Sequence, residues 1–221
     1  MPDAFYRLVR TMGYPAFGMS ASPVVLHADR MKRPGAFILA PNHLSPYDVP
    51  CLMASTTRLL DFVSITEIFQ NRLVAWFMGN MNAFPLDRSR VDPGTTRKIL
   101  DRLGRGRVIT MFPEGSIRTP ATSLLNGHPF KPSVARLARM AQVPIVPCIL
   151  LATGVYRHAS AWLPLRRTRY AINFGEAIFV EGADDSSACA QAVERLKEAY
   201  QILYRELQAT SGLNVADSPW R

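Results

Sequence analysis

The sequence predicts an α/β fold in a single domain, with a mixed, largely parallel sheet flanked by helices and a short amphipathic helix in front. Compact apolar runs alternate with helical apolar patterns along the chain, and Pro or Gly bounds many of the runs. No internal repeat, low-complexity tract or linker divides the chain. With 221 residues, 48% hydrophobic and 19% charged, it is long and apolar enough to build one sizeable core.

The elements follow in order. Residues Asp3 to Met12 form a helical pattern with Phe5, Val9 and Met12 on one face and Arg7 and Arg10 off it, and Pro15 is expected to end it. Two readings stand for this segment: an anchor lying in a membrane interface, or a helix packed on the body of the protein. Gly35 to Ala40, between Pro34 and Pro41, reads as a buried strand, and a helix should begin near Ser45. Helical patterns follow at Ile65–Met78 and Thr95–Leu103, then a second buried strand at Val108–Phe112. Pro132 to Ala141 is helical in pattern, Pro144–Leu151 a third strand, Arg169–Phe174 a fourth, and Ala177–Val180 a candidate fifth. Cys189, Val193, Leu196, Tyr200, Leu203 and Leu207 step by four and three along a last helix, with caps at Asp184–Ser187 and a stop at Gly212.

The charge balance narrows the partners. Lys and Arg total 26 and Asp and Glu 17, a net +9, which favours nucleic acid, anionic lipid or a phosphorylated substrate without choosing among them. Cys51, Cys148 and Cys189 have neither metal-type nor disulfide-framework spacing and read as reduced thiols. No stretch approaches the ~18–20 apolar residues of a membrane span, and no apolar core follows Arg7 and Arg10 as a secretory signal requires. The expectation is a soluble or surface-bound protein.

Chemistry concentrates at the ends of the predicted strands. Asn42-His43-Leu-Ser-Pro-Tyr-Asp48 leaves the first strand and opens a helix. An imidazole with an ordinary pKa of ~6.5 suits general-base work near neutrality, provided a carboxylate fixes its tautomer. Asp48, five residues on, can fold back to do so, the logic of the serine protease triad with the attacking hydroxyl supplied by substrate. The competing reading is an ordinary helix start, with Ser45 as N-cap, Pro46 first and Asp48 balancing the dipole. Phe112-Pro-Glu-Gly-Ser116, with Arg118, holds the same position after the second strand. Gly79–Arg88, running into Arg90, and Val143-Pro-Ile-Val-Pro147 complete a set of four blocks.

Together these blocks resemble the lysophosphatidate acyltransferase (1-acylglycerol-3-phosphate O-acyltransferase) family of glycerolipid acyltransferases, from about residue 24 to residue 180. The resemblance implies a catalytic pair of His43 and Asp48, Arg88 gripping a substrate phosphate, and Glu114, Gly115 and Ser116 binding the glycerol phosphate part. A planar guanidinium meets phosphate oxygens in pairs, so Arg88 fits the part, although a solvated surface arginine would fit the basic run equally. Glu114 has an alternative as a strand-end acid paired with an arginine. Two departures bear on the acceptor. The family's Glu-Gly-Thr-Arg reads Glu114-Gly-Ser-Ile-Arg118 here, displacing the arginine, and Ser133 stands where a glycine is usual. Lys131 is the further phosphate candidate beside Arg118, with a solvated lysine as its alternative.

The implied organisation is a membrane-surface segment at 1–20, an acyltransferase domain at 21–210 and a flexible tail at 211–221. The implied partners are an acyl donor (acyl carrier protein or CoA thioester, a co-substrate rather than a bound cofactor), a lyso-lipid acceptor and an anionic membrane surface. Neither metal nor nucleic acid is expected, and the expected location is peripheral, on the cytoplasmic face of the membrane. Acylation of another lyso-lipid, such as a lyso-ornithine lipid, is the nearest alternative, and a non-catalytic basic module is a more distant one. A serine hydrolase using Ser116 is disfavoured because Gly-Ser-Ile lacks the Gly-x-Ser-x-Gly elbow.

Overall fold

A computed structural model describes residues 3–86, 93–182 and 184–217. The alternation of apolar runs and helical patterns resolves into helices α1 (Asp3–Ser20), α2 (Asp48–Ser55), α3 (Arg72–Asn80), α4 (Pro93–Gly104), α5 (Ser133–Ala141) and α6 (Asp185–Ser211). The strands are β1 (Ala21–Leu26), β2 (Phe37–Pro41), β3 (Leu60–Ile65), β4 (Phe84–Leu86), β5 (Val108–Thr110), β6 (Ile145–Leu151) and β7 (Thr168–Phe174). They form one sheet in the order β1-β7-β6-β2-β5-β3-β4, parallel at every pairing except β6 with β7.

The sheet is covered on both faces, which explains why its strands read as unbroken apolar runs. Side chains alternate across it. Phe37 and Leu39 of β2 enter a core shared with Tyr6 of α1 and Cys51 and Leu52 of α2. Ile38 and Ala40 enter the opposite core, with Ile99 of α4, Val134 of α5 and Leu196 and Leu203 of α6. Helix α6 is capped at its start by Asp184, whose carboxylate accepts from the Ser187 N–H at 2.7 Å, and at its end by Gly212 in the left-handed region, as expected. Its first buried turns run through Ala188 and Ala192, one residue before the predicted Cys189 and Val193.

Several expectations change. Helix α1 runs through Pro15 to Ser20. Pro15 and Thr11 are exposed, so the carbonyl that the proline leaves without an amide partner can be hydrated. The Ile65–Met78 pattern divides into a 3-10 turn, Thr66–Phe69, and α3, whose start Asn71 caps through the Leu73 and Val74 N–H groups. Ala177–Val180 contributes one bridge, Ile178 to Ile145, rather than a strand. The segment after Ser211 is docked through Asp217: Val215 is buried and its N–H donates to the Tyr204 hydroxyl at 3.0 Å. Strands β1, β3 and β4 were not expected. Among the described residues no helix is long and apolar enough to cross a membrane.

Helix α1 is tied to the sheet by charge as well as packing. Asp61, fully buried on β3, accepts from Arg102 at 2.7 Å and from Arg107 at 2.5 Å. Arg107 also reaches both oxygens of Asp3, and Asn82 adds a bond at 3.0 Å. Hydrogen bonding from Arg107 holds the Asp3 carboxyl below its ordinary pKa.

Candidate active site

Parallel strands β2 and β5 lie side by side, so the loops that leave them emerge together at one edge of the sheet. His43 follows β2 and Glu114 follows β5. The imidazole of His43 stacks on Phe112, ring centroids 3.9 Å apart, which fixes the plane of the ring. Its Nδ1 lies 2.8 Å from Oδ2 of Asp48.

Asp48 is fully buried, so its negative charge must be met by donors. Oδ2 accepts from the backbone N–H groups of Leu44 and Ser45, each at 3.0 Å, as well as facing His43. Oδ1 accepts from the hydroxyl of Thr153, itself fully buried in the turn after β6. An oxygen already receiving two amide protons acts as acceptor toward the imidazole, which assigns the proton to Nδ1 and leaves Nε2 with a free lone pair. The helix start and the imidazole partner are thus one arrangement. The helix itself begins at Asp48 rather than at Ser45, whose hydroxyl accepts from the Tyr47 N–H at 3.1 Å.

Glu114 points into the protein. It is 2% exposed, with Oε2 on the His43 N–H at 2.5 Å and Oε1 on the Ser123 hydroxyl at 3.0 Å and the Leu124 N–H at 2.7 Å. Both oxygens accept from the protein, and the side chain holds the His43 backbone. Burial raises its pKa despite these three donors. Arg118 also turns inward: its guanidinium donates to the Glu114 carbonyl at 3.0 Å and its N–H to the His43 carbonyl at 2.8 Å. It does not line the cavity described next.

A cavity of about 810 Å³ starts at His43 and is bounded there by Phe112, Gly115, Ser116 and Lys131. Gly115 has φ +71°, and a side chain on it would come within 3.2 Å of Lys131 Cε, so glycine keeps the turn relaxed and the lysine in place. Elsewhere the cavity is largely apolar, walled by Val9 and Phe17 of α1, Met53 of α2, Ile68, and Phe77 and Met78 of α3. Among the described residues, the cationic side chains lining it are Lys131 and Arg10. Arg88 lies outside the described residues, so its expected role stands on the sequence alone.

Sequence reasoning passed over Thr153, and it gave Phe112 no task of its own. Thr153 sits at the end of the apolar run from Val143 to Tyr156, where a polar residue inside a buried segment calls for a partner. That signal was available. An imidazole held on one nitrogen, open on the other and set at the rim of an apolar cavity can take a proton from a hydroxyl group bound beside it.

Comparison with known proteins gives a consistent family. The model of the Acyltransferase family matches residues 23–151. The chain is 25% identical over 174 residues to the 1-acyl-sn-glycerol-3-phosphate acyltransferase of Streptococcus pneumoniae, covering 77% of this chain and 60% of that one. It is 25% identical over 124 residues to the enzyme of the same name from Bacillus subtilis, covering 56% of this chain and 59% of the relative. A chloroplastic 1-acyl-sn-glycerol-3-phosphate acyltransferase of Brassica napus is 31% identical over 119 residues, covering 51% and 32%. The matches thus span about three fifths of the length of the bacterial relatives. The crystal structure of the 1-acyl-sn-glycerophosphate acyltransferase from Thermotoga maritima shares the fold, with a TM-score of 0.68 at 19% identity over 91% of this chain and 80% of that one.

Proposed function

The chain belongs to the acyltransferase family, and on that premise we propose that it moves a fatty acyl group from an acyl thioester to the hydroxyl of a lysophosphatidate-type acceptor, a step of phospholipid synthesis. The observation that carries this reading is the His43–Asp48 pair at the rim of an apolar cavity of about 810 Å³, large enough for a fatty acyl chain.

In the proposed reaction Nε2 of His43 removes the acceptor hydroxyl proton as that oxygen attacks the thioester carbonyl carbon. Asp48 stabilises the imidazolium that forms. The carbon–sulfur bond then breaks, and His43 returns the proton to the departing thiolate, so the imidazole ends as it began. Lys131, together with Arg88, holds the acceptor phosphate so that attack is effectively intramolecular. Gly115 and Ser116 form the wall next to the reacting atoms. The thioester supplies the activated acyl group, from either an acyl carrier protein or CoA, and no bound cofactor enters the reaction. The proposed location is peripheral, at the cytoplasmic face of a membrane, where the acceptor resides.

The inward turn of Arg118 and the serine at position 133 favour keeping a second acceptor class, a lyso-lipid with another headgroup, within the test. The experiment is product analysis with a radiolabelled acyl donor and a mixture of lyso-lipids. Label in phosphatidate is the expected result. Label in another diacyl lipid would replace the acceptor, and no labelled lipid at all would end the proposal.

A further inference from the structure

With the exceptions of Met140, Phe179 and Ile202, the large hydrophobic side chains exposed among the described residues fall on three segments. Helix α1 presents Leu8, Met12, Tyr14 and Met19; α3 presents Leu73, Val74, Trp76 and Phe77; the loop after Tyr156 presents Trp162, Leu163 and Leu165. The segments are physically joined. Phe5 of α1 packs edge-on against Trp76 and Phe77 of α3, centroids 5.3 and 5.9 Å apart. At the other end of α1, Phe17 contacts Trp162, and the Leu165 N–H donates to the Met19 carbonyl at 3.0 Å. Leu165 is 86% exposed with φ +71°, a backbone conformation that a leucine adopts only when the surrounding structure imposes it.

The charges on these three segments have one sign, with Glu67 in the turn before α3 the nearby exposed carboxylate. Arg7, Arg72, Arg157, Arg166 and Arg167 are exposed on or beside the three segments. Residues 4–20, 72–80 and 153–168 contain no carboxylate, and Asp3 is already held by Arg107. Phe77 and Trp162 also line the cavity, so the surface borders its mouth. Arginines around exposed leucines and tryptophans suit an anionic lipid bilayer, with aromatic rings at headgroup level and aliphatic tips in the acyl boundary.

We infer that the loop Trp162–Arg167 and helix α3 are lipid-inserting elements flanking α1, which together seat the cavity mouth on an anionic bilayer. The inference rests on the proposed acyltransferase reading for its purpose, but not for its test. The full chain is mixed with vesicles of phosphatidylglycerol and phosphatidylcholine, or of phosphatidylcholine alone, and the sedimenting fraction is measured. Two double variants lie outside the cavity lining and on exposed positions: Leu163→Ser with Leu165→Ser, and Arg166→Gln with Arg167→Gln. The leucine pair should lower binding to anionic vesicles about tenfold. The arginine pair should lower it roughly fivefold per residue, with no change on phosphatidylcholine alone.

Wild-type binding by either double variant would overturn the inference. So would failure of the wild type to bind anionic vesicles, or a solution dimer that the leucine pair dissolves, which would make the surface a self-association face. Acyl transfer to acceptor dispersed in detergent micelles should be the same in wild type and both variants. If wild type shows no transfer in micelles while the vesicle pattern holds, the enzymatic reading fails and the membrane surface stands.

Discussion

The two ends of the cavity are built by opposite means. At the His43 end both carboxylates are fully engaged: Asp48 has four donors, Glu114 has three, and the ring of His43 is clamped on Phe112. The α1–α3 end holds its shape mainly through apolar contacts, with an ionic tie from Asp3 to Arg107 and much of its outer surface exposed. Geometry within tenths of an ångström is needed where a proton moves, and directional bonds supply it. A site for a flexible chain needs area rather than direction, and apolar side chains supply that.

The contrast can be broken from either end. The largest expected effect is at the rigid end: His43→Ala should lower acyl transfer by about a thousandfold, the range for removing a general base, while the fold survives because Leu44, Ser45 and Thr153 still donate to Asp48. Turnover and thermal melting on the same sample check both halves. Next comes Glu114→Ala, which leaves two buried N–H groups and a hydroxyl without an acceptor and should cost about 3 kcal/mol or more of stability, read by urea unfolding. Glu114→Gln should be milder. It should also remove a pH slope. The folded-state pKa of Glu114 is raised, so its contribution is fullest below the ordinary glutamate value and is lost as pH rises through the folded value.

Thr153→Val should lower kcat about tenfold with KM nearly unchanged, by withdrawing a donor from Asp48, and Thr153→Ser should restore it. A parallel loss of KM and stability would make Thr153 a packing residue only. At the apolar end effects should be smaller and graded. Phe77→Ala should weaken long-chain acyl donors a few-fold and leave short-chain donors unchanged, as measured by KM across a donor series. Acid should release this end in the opposite sense from Glu114. The folded pKa of Asp3 is lowered, so its tie to Arg107 is intact above about 3.8 and is lost as pH falls through the folded value. Hydrogen exchange in α1 reports it.

The same contrast explains what was legible in the sequence. The rigid end is written in short blocks, because directional chemistry needs particular residues at fixed spacing: His43, Asp48 and Phe112–Gly115 could be found by reading alone. Even there the sequence could not show that Glu114 and Arg118 face the protein: Glu114 is oriented by Ser123 and Leu124, which a later loop brings in, and Arg118 by the carbonyls of Glu114 and His43. The apolar end is written in scattered residues of α1, α2, β3 and α3 that no local pattern joins. Its strands were missed for related reasons. Pro23 interrupts β1, which pairs only with β7 at one edge, and β4 has three residues. In β3, buried Asp61 is satisfied by arginines far along the chain, so its alternation looked polar. Helix α6 was readable because its caps and its stripe are both local.

The most direct test of the account is the protonation of a single ring, observed by nitrogen-15 magnetic resonance of histidine-labelled protein. The account predicts a neutral His43 carrying its proton on Nδ1, in a downfield, slowly exchanging hydrogen bond that is lost in Asp48→Ala, with Nε2 unprotonated. A ring protonated on Nε2 when neutral, or one averaging freely between tautomers, would contradict it.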